Sequence, residues 1–162
     1  MELINGEIVD MMPPGPFHSS SSSKANRVVA KKTGDEFIVR CQEPVRINRN
    51  NEPQPDIAVL KPRKDEYALA HPGPDDVLLI IEIPDSSLEF DLNTKRQTYA
   101  KAEIAEYWVL DVNTRELHVF LRPWQGDYTE QATFSGEDEV QCKTIRDLQL
   151  RVCELLPDVM AK

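Results

Sequence analysis

Five aliphatic residues in a row, Val77-Leu78-Leu79-Ile80-Ile81, are followed at once by a carboxylate, Glu82. A strand with one wet face alternates apolar and polar residues, so an unbroken run means that both faces are covered. Such a strand needs a neighbour on each edge and something packed above and below it. The 162 residues suffice: they suit one domain, expected over 1–162, whose core needs no disulfide or metal staple.

The flanking patterns name the neighbours. Gly6 between two short apolar runs predicts a hairpin over Glu2 to Met12, and Pro13-Pro14-Gly15-Pro16 is a stiff break. Ala25, Val28, Val29 and Lys32 keep helical spacing, with Gly34 suited to a helix end, so a helix is expected over roughly 18–33. Its serines at 19–23 are poor helix formers and read as a solvated start or a frayed loop. Short strands are expected over Glu36 to Arg40, Val45 to Ile47, Asp56 to Leu60 and Val77 to Ile83. Between the last two, the stretch from Lys61 to Asp76 carries Pro62, Pro72, Gly73 and Pro74 and reads as a surface loop.

Glu89 to Ala102 reads as a second helix with a sparse apolar side made of Leu92, Tyr99 and Ala102, joined by Leu88 just ahead of it. A hairpin of Glu106 to Val112 and Glu116 to Leu121, turned by Asn113-Thr114, follows it, then a strand over Tyr128 to Phe134. Asp147 to Leu156 forms a partly apolar tail. Helix, strands, helix, strands imply an α/β domain with a mixed sheet. Tyr107 and Trp108 read as core residues, alternation turning one ring inward.

Charge narrows the function classes. The net charge is −9, so a nucleic-acid role needs a local basic patch or a bound cation. Arg46, Arg49, Lys61, Arg63 and Lys64 are the candidates for a basic rim, against a reading as scattered solvated charges. Cys41, Cys142 and Cys153 are odd in number and lack C-x-x-C spacing, which suggests reduced thiols in a cytoplasm. The opening MELINGEIVD has neither the basic nor the apolar region of a signal peptide, and no apolar run reaches transmembrane length, so no membrane partner is expected.

Two carboxylates stand where an apolar core would not place them. Asp56 leads directly into Ile57-Ala58-Val59-Leu60, and Glu82 ends the aliphatic run. On neighbouring strands they can converge, and two converging carboxylates repel unless a cation sits between them. Hard oxygen ligands with room for water suit Mg²⁺ or Mn²⁺. The competing reading is two strand-end residues facing solvent or an arginine. Further on, Asp91 and Lys95 are four apart and can form an ordinary helical ion pair. Alternatively Lys95 points back toward Glu82, where an ammonium can orient a nucleophile or stabilise charge on a phosphate.

The strings E-L-I-N-G-E-I-V, P-P-G-P-F-H and P-D-I-A-V are followed by I-I-E-I-P-D-S-S-L-E-F-D-L-N-T-K-R-Q-T-Y-A-K-A-E-I-A-E-Y-W-V-L-D. Together they resemble the Uma-type restriction endonuclease family of the PD-(D/E)XK nuclease superfamily, from about Glu2 to Leu156. Glu82 to Asp111 is the most specific part. The resemblance implies a restriction-endonuclease-like fold, a central mixed β-sheet flanked by helices, and Mg²⁺- or Mn²⁺-dependent hydrolysis of phosphodiester bonds in DNA. A homodimer is compatible with it. It makes Asp56 and Glu82 metal ligands, with the carbonyl of Ile83 as a third. The superfamily lysine two residues after the glutamate is replaced by Pro84, and Lys95 on the following helix matches the displaced lysine, with Asp91 fixing it. His18 and Glu7 also fall at recurrent family positions, against a reading as packing residues. Because the sequence begins almost at E-L-I-N-G-E, the leading helical segment of many relatives is not expected here, and the serine run replaces more apolar helix residues. A non-catalytic interaction module on the same fold and a nuclease acting on RNA or branched DNA are the competing functions.

Overall fold

The structure is a computed structural model and describes residues 1–159. The expected unit over 1–162 therefore extends past the described residues.

Strands β1 (Glu2–Ile4) and β2 (Glu7–Val9) form the expected hairpin, turned at Asn5 and Gly6, both with positive φ. Helix α1 (Pro16–Thr33) follows, with proline in its first turn, where its missing N–H costs nothing. The serine run is regular helix, which corrects the frayed reading. His18, Ser21, Ser22, Ala25, Val29 and Thr33 form one buried stripe, and the Ser21 hydroxyl donates to the Phe17 carbonyl. Tertiary burial of a small-residue face outweighs the weak propensity of serine here.

A six-stranded sheet follows, in the spatial order β3-β4-β5-β6-β7-β8. Its members are β3 (Ile38–Cys41), β4 (Ile57–Leu60), β5 (Val77–Glu82), β6 (Glu106–Asp111), β7 (Glu116–Trp124) and β8 (Asp127–Ser135). Every pairing is antiparallel except β5 with β6, which is parallel. A parallel pair needs a crossover, supplied by α2 (Leu88–Phe90), a π-helical turn (Asp91–Lys95) and α3 (Arg96–Lys101). The long second helix expected from the sequence is thus interrupted by a π turn, in which the Arg96 N–H reaches the Asp91 carbonyl.

The aliphatic run has both faces covered. Ile57, Val59, Leu79, Ile81, Trp108 and Leu110 pack with Ala25 and Val29 of α1 and with the C-terminal segment. The alternate residues, Ala58, Leu60, Ile80, Tyr107 and Val109, pack with Tyr99 of α3 on the other side. Both rings of Tyr107-Trp108 are therefore buried, one in each layer, whereas alternation alone places only one inward.

One local expectation is corrected, and one segment carries structure that its sequence left open. Val45 to Ile47 is not a strand: between Pro44 and the turn at Asn48–Asn51 it folds back, Val45 N–H donating to the Pro53 carbonyl and Ile47 N–H to the Asn51 carbonyl. The tail holds a second small sheet, β9 (Glu139–Gln141) with β10 (Gln149–Arg151), capped by a 3₁₀ turn over Val152–Leu155. Among the described residues no helix is long and apolar enough to cross a membrane.

Candidate active site

Asp56 sits one residue before β4, and Glu82 is the last residue of its neighbour β5. Their ends are laced together: the Asp56 N–H donates to Glu82 Oε2 at 3.3 Å, and the Ile83 N–H donates to Asp56 Oδ2 at 2.7 Å. Each carboxylate thus anchors on the other's main chain, and both face one cleft of about 320 Å³. Proline on either side of the pair (Pro55 and Pro84) removes N–H groups that would otherwise continue the ladder.

Lys95 arrives from the π turn. Its Nζ lies 3.0 Å from Glu82 Oε1, 3.0 Å from Glu2 Oε1 and 3.7 Å from Asp91 Oδ1. The Tyr99 hydroxyl donates to the same Glu82 oxygen at 2.7 Å, and the Ser87 hydroxyl donates to Asp91 Oδ2 at 2.9 Å. Glu82, Asp91, Lys95 and Glu2 are all buried. Lys95 also lines the cleft, and no arginine does.

The electrostatics follow from three carboxylates sharing one ammonium away from water. Burial pushes the Glu82 carboxyl up to about 8 against the pull of Lys95, with Asp91, Asp56 and Glu2 adding to the rise. Burial likewise raises Asp91 to about 6, with Lys95 and Ser87 opposing. Burial alone lowers Lys95, but Glu82, Asp91 and Glu2 together outweigh it and hold the ammonium charged well above its ordinary range. The cluster carries surplus negative charge that a proton or a cation must balance.

An oxygen donor set is present. Glu82 commits Oε1 to Lys95 and Tyr99, while Oε2 meets the Asp56 N–H, and both Glu82 and Asp56 line the cleft. The Ile83 carbonyl accepts from His18 Nε2, and a carbonyl oxygen keeps a second lone pair. Among the described residues no three His, Cys, Asp or Glu side chains form a metal cage of their own. Two carboxylates and a carbonyl match a magnesium-type site, which draws its other ligands from water and substrate.

Not every expected residue converges here. His18 does: it is buried, bonds the Ile83 carbonyl through Nε2, and leaves Nδ1 without a partner among the described residues. Glu7 does not; it is exposed on β2 and lines no part of the cleft. Glu2, paired with Val9 at the far end of the same hairpin, occupies the site instead, buried against Lys95. The basic rim is absent from the cleft. Arg46 and Arg49 line a neighbouring cavity of about 720 Å³, where Arg46 pairs with Glu52, and Arg63 is engaged by Asp65 and the Tyr67 ring.

The comparisons agree with this architecture. A solved structure described as a putative nuclease belonging to DUF820, from Anabaena variabilis ATCC 29413, superposes with a TM-score of 0.75. The two are 19% identical, and the match covers 95% of this chain and 88% of that one. No curated protein matches. A family model described as "Putative restriction endonuclease" matches residues 1–153, nearly the full length, and the chain belongs to that family, Uma2.

Proposed function

We propose that this cleft hydrolyses phosphodiester bonds in DNA with a divalent cation, Mg²⁺ or Mn²⁺. The observation that carries the reading is the meeting of Asp56, Glu82 and Lys95 at one cleft, from two strands and a helix. Family membership supports it from a separate direction. Asp56 and Glu82 would hold the cation, with the Ile83 carbonyl as a third ligand. When bound, the cation supplies positive charge to the scissile phosphate and acidifies the attacking water. It also lets a chain of net charge −9 accept a phosphodiester.

Lys95 stays an ammonium, so it orients and neutralises and does not act as a base. Asp91 holds it from one helical turn away, and His18 fixes the Ile83 carbonyl at the rim. The test is cleavage of supercoiled plasmid, single-stranded DNA and RNA with Mg²⁺, Mn²⁺ or chelator. Divalent-dependent nicking of DNA is expected. Cleavage of RNA alone moves the substrate class, and no cleavage of any of them leaves a non-catalytic module.

A further inference from the structure

We propose that Glu2 is a positioning residue of this site, sharing the Lys95 ammonium with Glu82 and making the β1–β2 hairpin a working wall of the cleft. The inference rests on the nuclease reading above and assigns a residue that reading does not use.

An ammonium has three donors to place. Lys95 places them among Glu2 and Glu82, each at 3.0 Å, and the more distant Asp91 at 3.7 Å. Glu82 and Asp91 belong to the same stretch of chain as Lys95, the end of β5 and the crossover that follows it. Glu2 comes from outside the main sheet. Its other oxygen, Oε2, accepts the Gln54 N–H at 3.1 Å, two residues before Asp56. One carboxylate therefore ties Lys95 to the segment that delivers Asp56. The hairpin is itself pinned there, Leu3 and Glu52 exchanging both main-chain hydrogen bonds at 3.3 and 2.8 Å.

Without Glu2 the buried ammonium has two carboxylates left, and its attraction falls on Glu82, the side chain whose remaining oxygen must face the cation. Glu2 thus divides the pull on Glu82 and fixes Lys95 at one point. Isolated surface ion pairs contribute little, but this one is almost wholly out of water, with both side chains no more than 6% exposed.

The test uses the full chain with ¹⁵N-labelled lysine. A buried ammonium held by three carboxylates exchanges slowly and gives its own ¹H–¹⁵N signal, assigned by its loss in Lys95→Ala. Glu2→Ala is expected to broaden that signal away, and Glu2→Gln to shift it but keep it. In the Mn²⁺ cleavage assay, Glu2→Ala should lower kcat by about 10²-fold with KM unchanged, the scale of a small misplacement of a catalytic group. Glu2→Gln, which keeps the acceptor for Gln54, should recover most of that loss.

An unperturbed Lys95 signal in Glu2→Ala, or wild-type kcat in that variant, overturns the proposal. Should Glu2→Ala fail to fold, Glu2→Gln decides alone: an unmoved ammonium signal overturns it. A wild-type chain that cleaves nothing removes the nuclease reading and this role with it. A chain that cleaves normally without Glu2 removes the Glu2 assignment only.

Discussion

Lys95 Nζ and the Tyr99 hydroxyl both bond Glu82 Oε1, at 3.0 and 2.7 Å. One oxygen of Glu82 is therefore held by two side chains, and the other meets the Asp56 N–H at 3.3 Å. This division of labour within a single carboxylate underlies the first expectations below.

Glu82→Ala should abolish Mg²⁺-dependent cleavage while the circular dichroism spectrum stays that of the folded chain. Lys95 keeps two other carboxylates, so the stability loss should be about 1–3 kcal/mol, less than for a buried pair broken outright. Cleavage that survives the substitution takes Glu82 out of the mechanism.

Lys95→Ala leaves Glu2, Glu82 and Asp91 facing one another without their counter-charge. It should cost about 3–5 kcal/mol above neutral pH, and less in acid, where the carboxylates take up protons. The cleavage rate should fall by about 10²–10³-fold, with Mn²⁺ affinity retained in titration calorimetry. An unchanged rate at equal affinity removes Lys95 from the chemistry.

The metal-free chain should lose stability as pH rises. Glu82 is lifted from 4.5 to about 8 and Asp91 from 3.8 to about 6, both chiefly by burial. Between the unfolded and folded values the native state binds more protons than the unfolded one. The resulting stabilisation is complete below the unfolded values and is lost as pH rises through about 6 and then about 8. A cation binds the ionised carboxylates and releases their protons, so Mg²⁺ should raise Tm more at the alkaline end of this window than at the acid end. A Tm gain from Mg²⁺ that is equal at both ends contradicts this account of the cluster.

Glu106 is buried with no cation paired to it among the described residues, and serves a different purpose. It accepts from the Trp108 indole, the Cys142 thiol, the Lys143 and Thr144 N–H groups and the Thr144 hydroxyl. These bonds fasten the C-terminal segment to β6. Glu106→Ala should cost about 3 kcal/mol in chemical denaturation and leave Mn²⁺ binding untouched. A weakened metal site in that variant shows that the tail and the cleft are coupled.

Much of the fold was legible because the aliphatic run at 77–81 admits only a two-sided strand, and because Glu106 to Leu121 is a clean hairpin pattern. The serine helix and the tail sheet were not. Ser21 and Ser22 are buried by what lies opposite them, and β9 and β10 are short strands whose inward residues, Val140 and Leu150, carry too little periodicity to read. At the site, Asp56 and Glu82 stand out because a carboxylate beside a run of aliphatics is costly, and Lys95 follows from the motif. Glu2 shares a short string with Glu7, and the pairing of Ile4 with Glu7 puts both on one face of the hairpin; only packing separates them, Glu2 being buried against Lys95 and Gln54 while Glu7 lies exposed beside the turn. The basic residues misled for a related reason: nearness in sequence to Asp56 did not bring Arg46, Arg49 or Arg63 to the cleft.

The most direct test is nicking of supercoiled plasmid by the wild-type chain and Glu82→Ala, purified identically and assayed with Mn²⁺ and then with excess chelator. Nicking by wild type alone, abolished by the chelator, is the expected result. Equal nicking by both proteins, or nicking that survives the chelator, contradicts a cation held by Asp56 and Glu82.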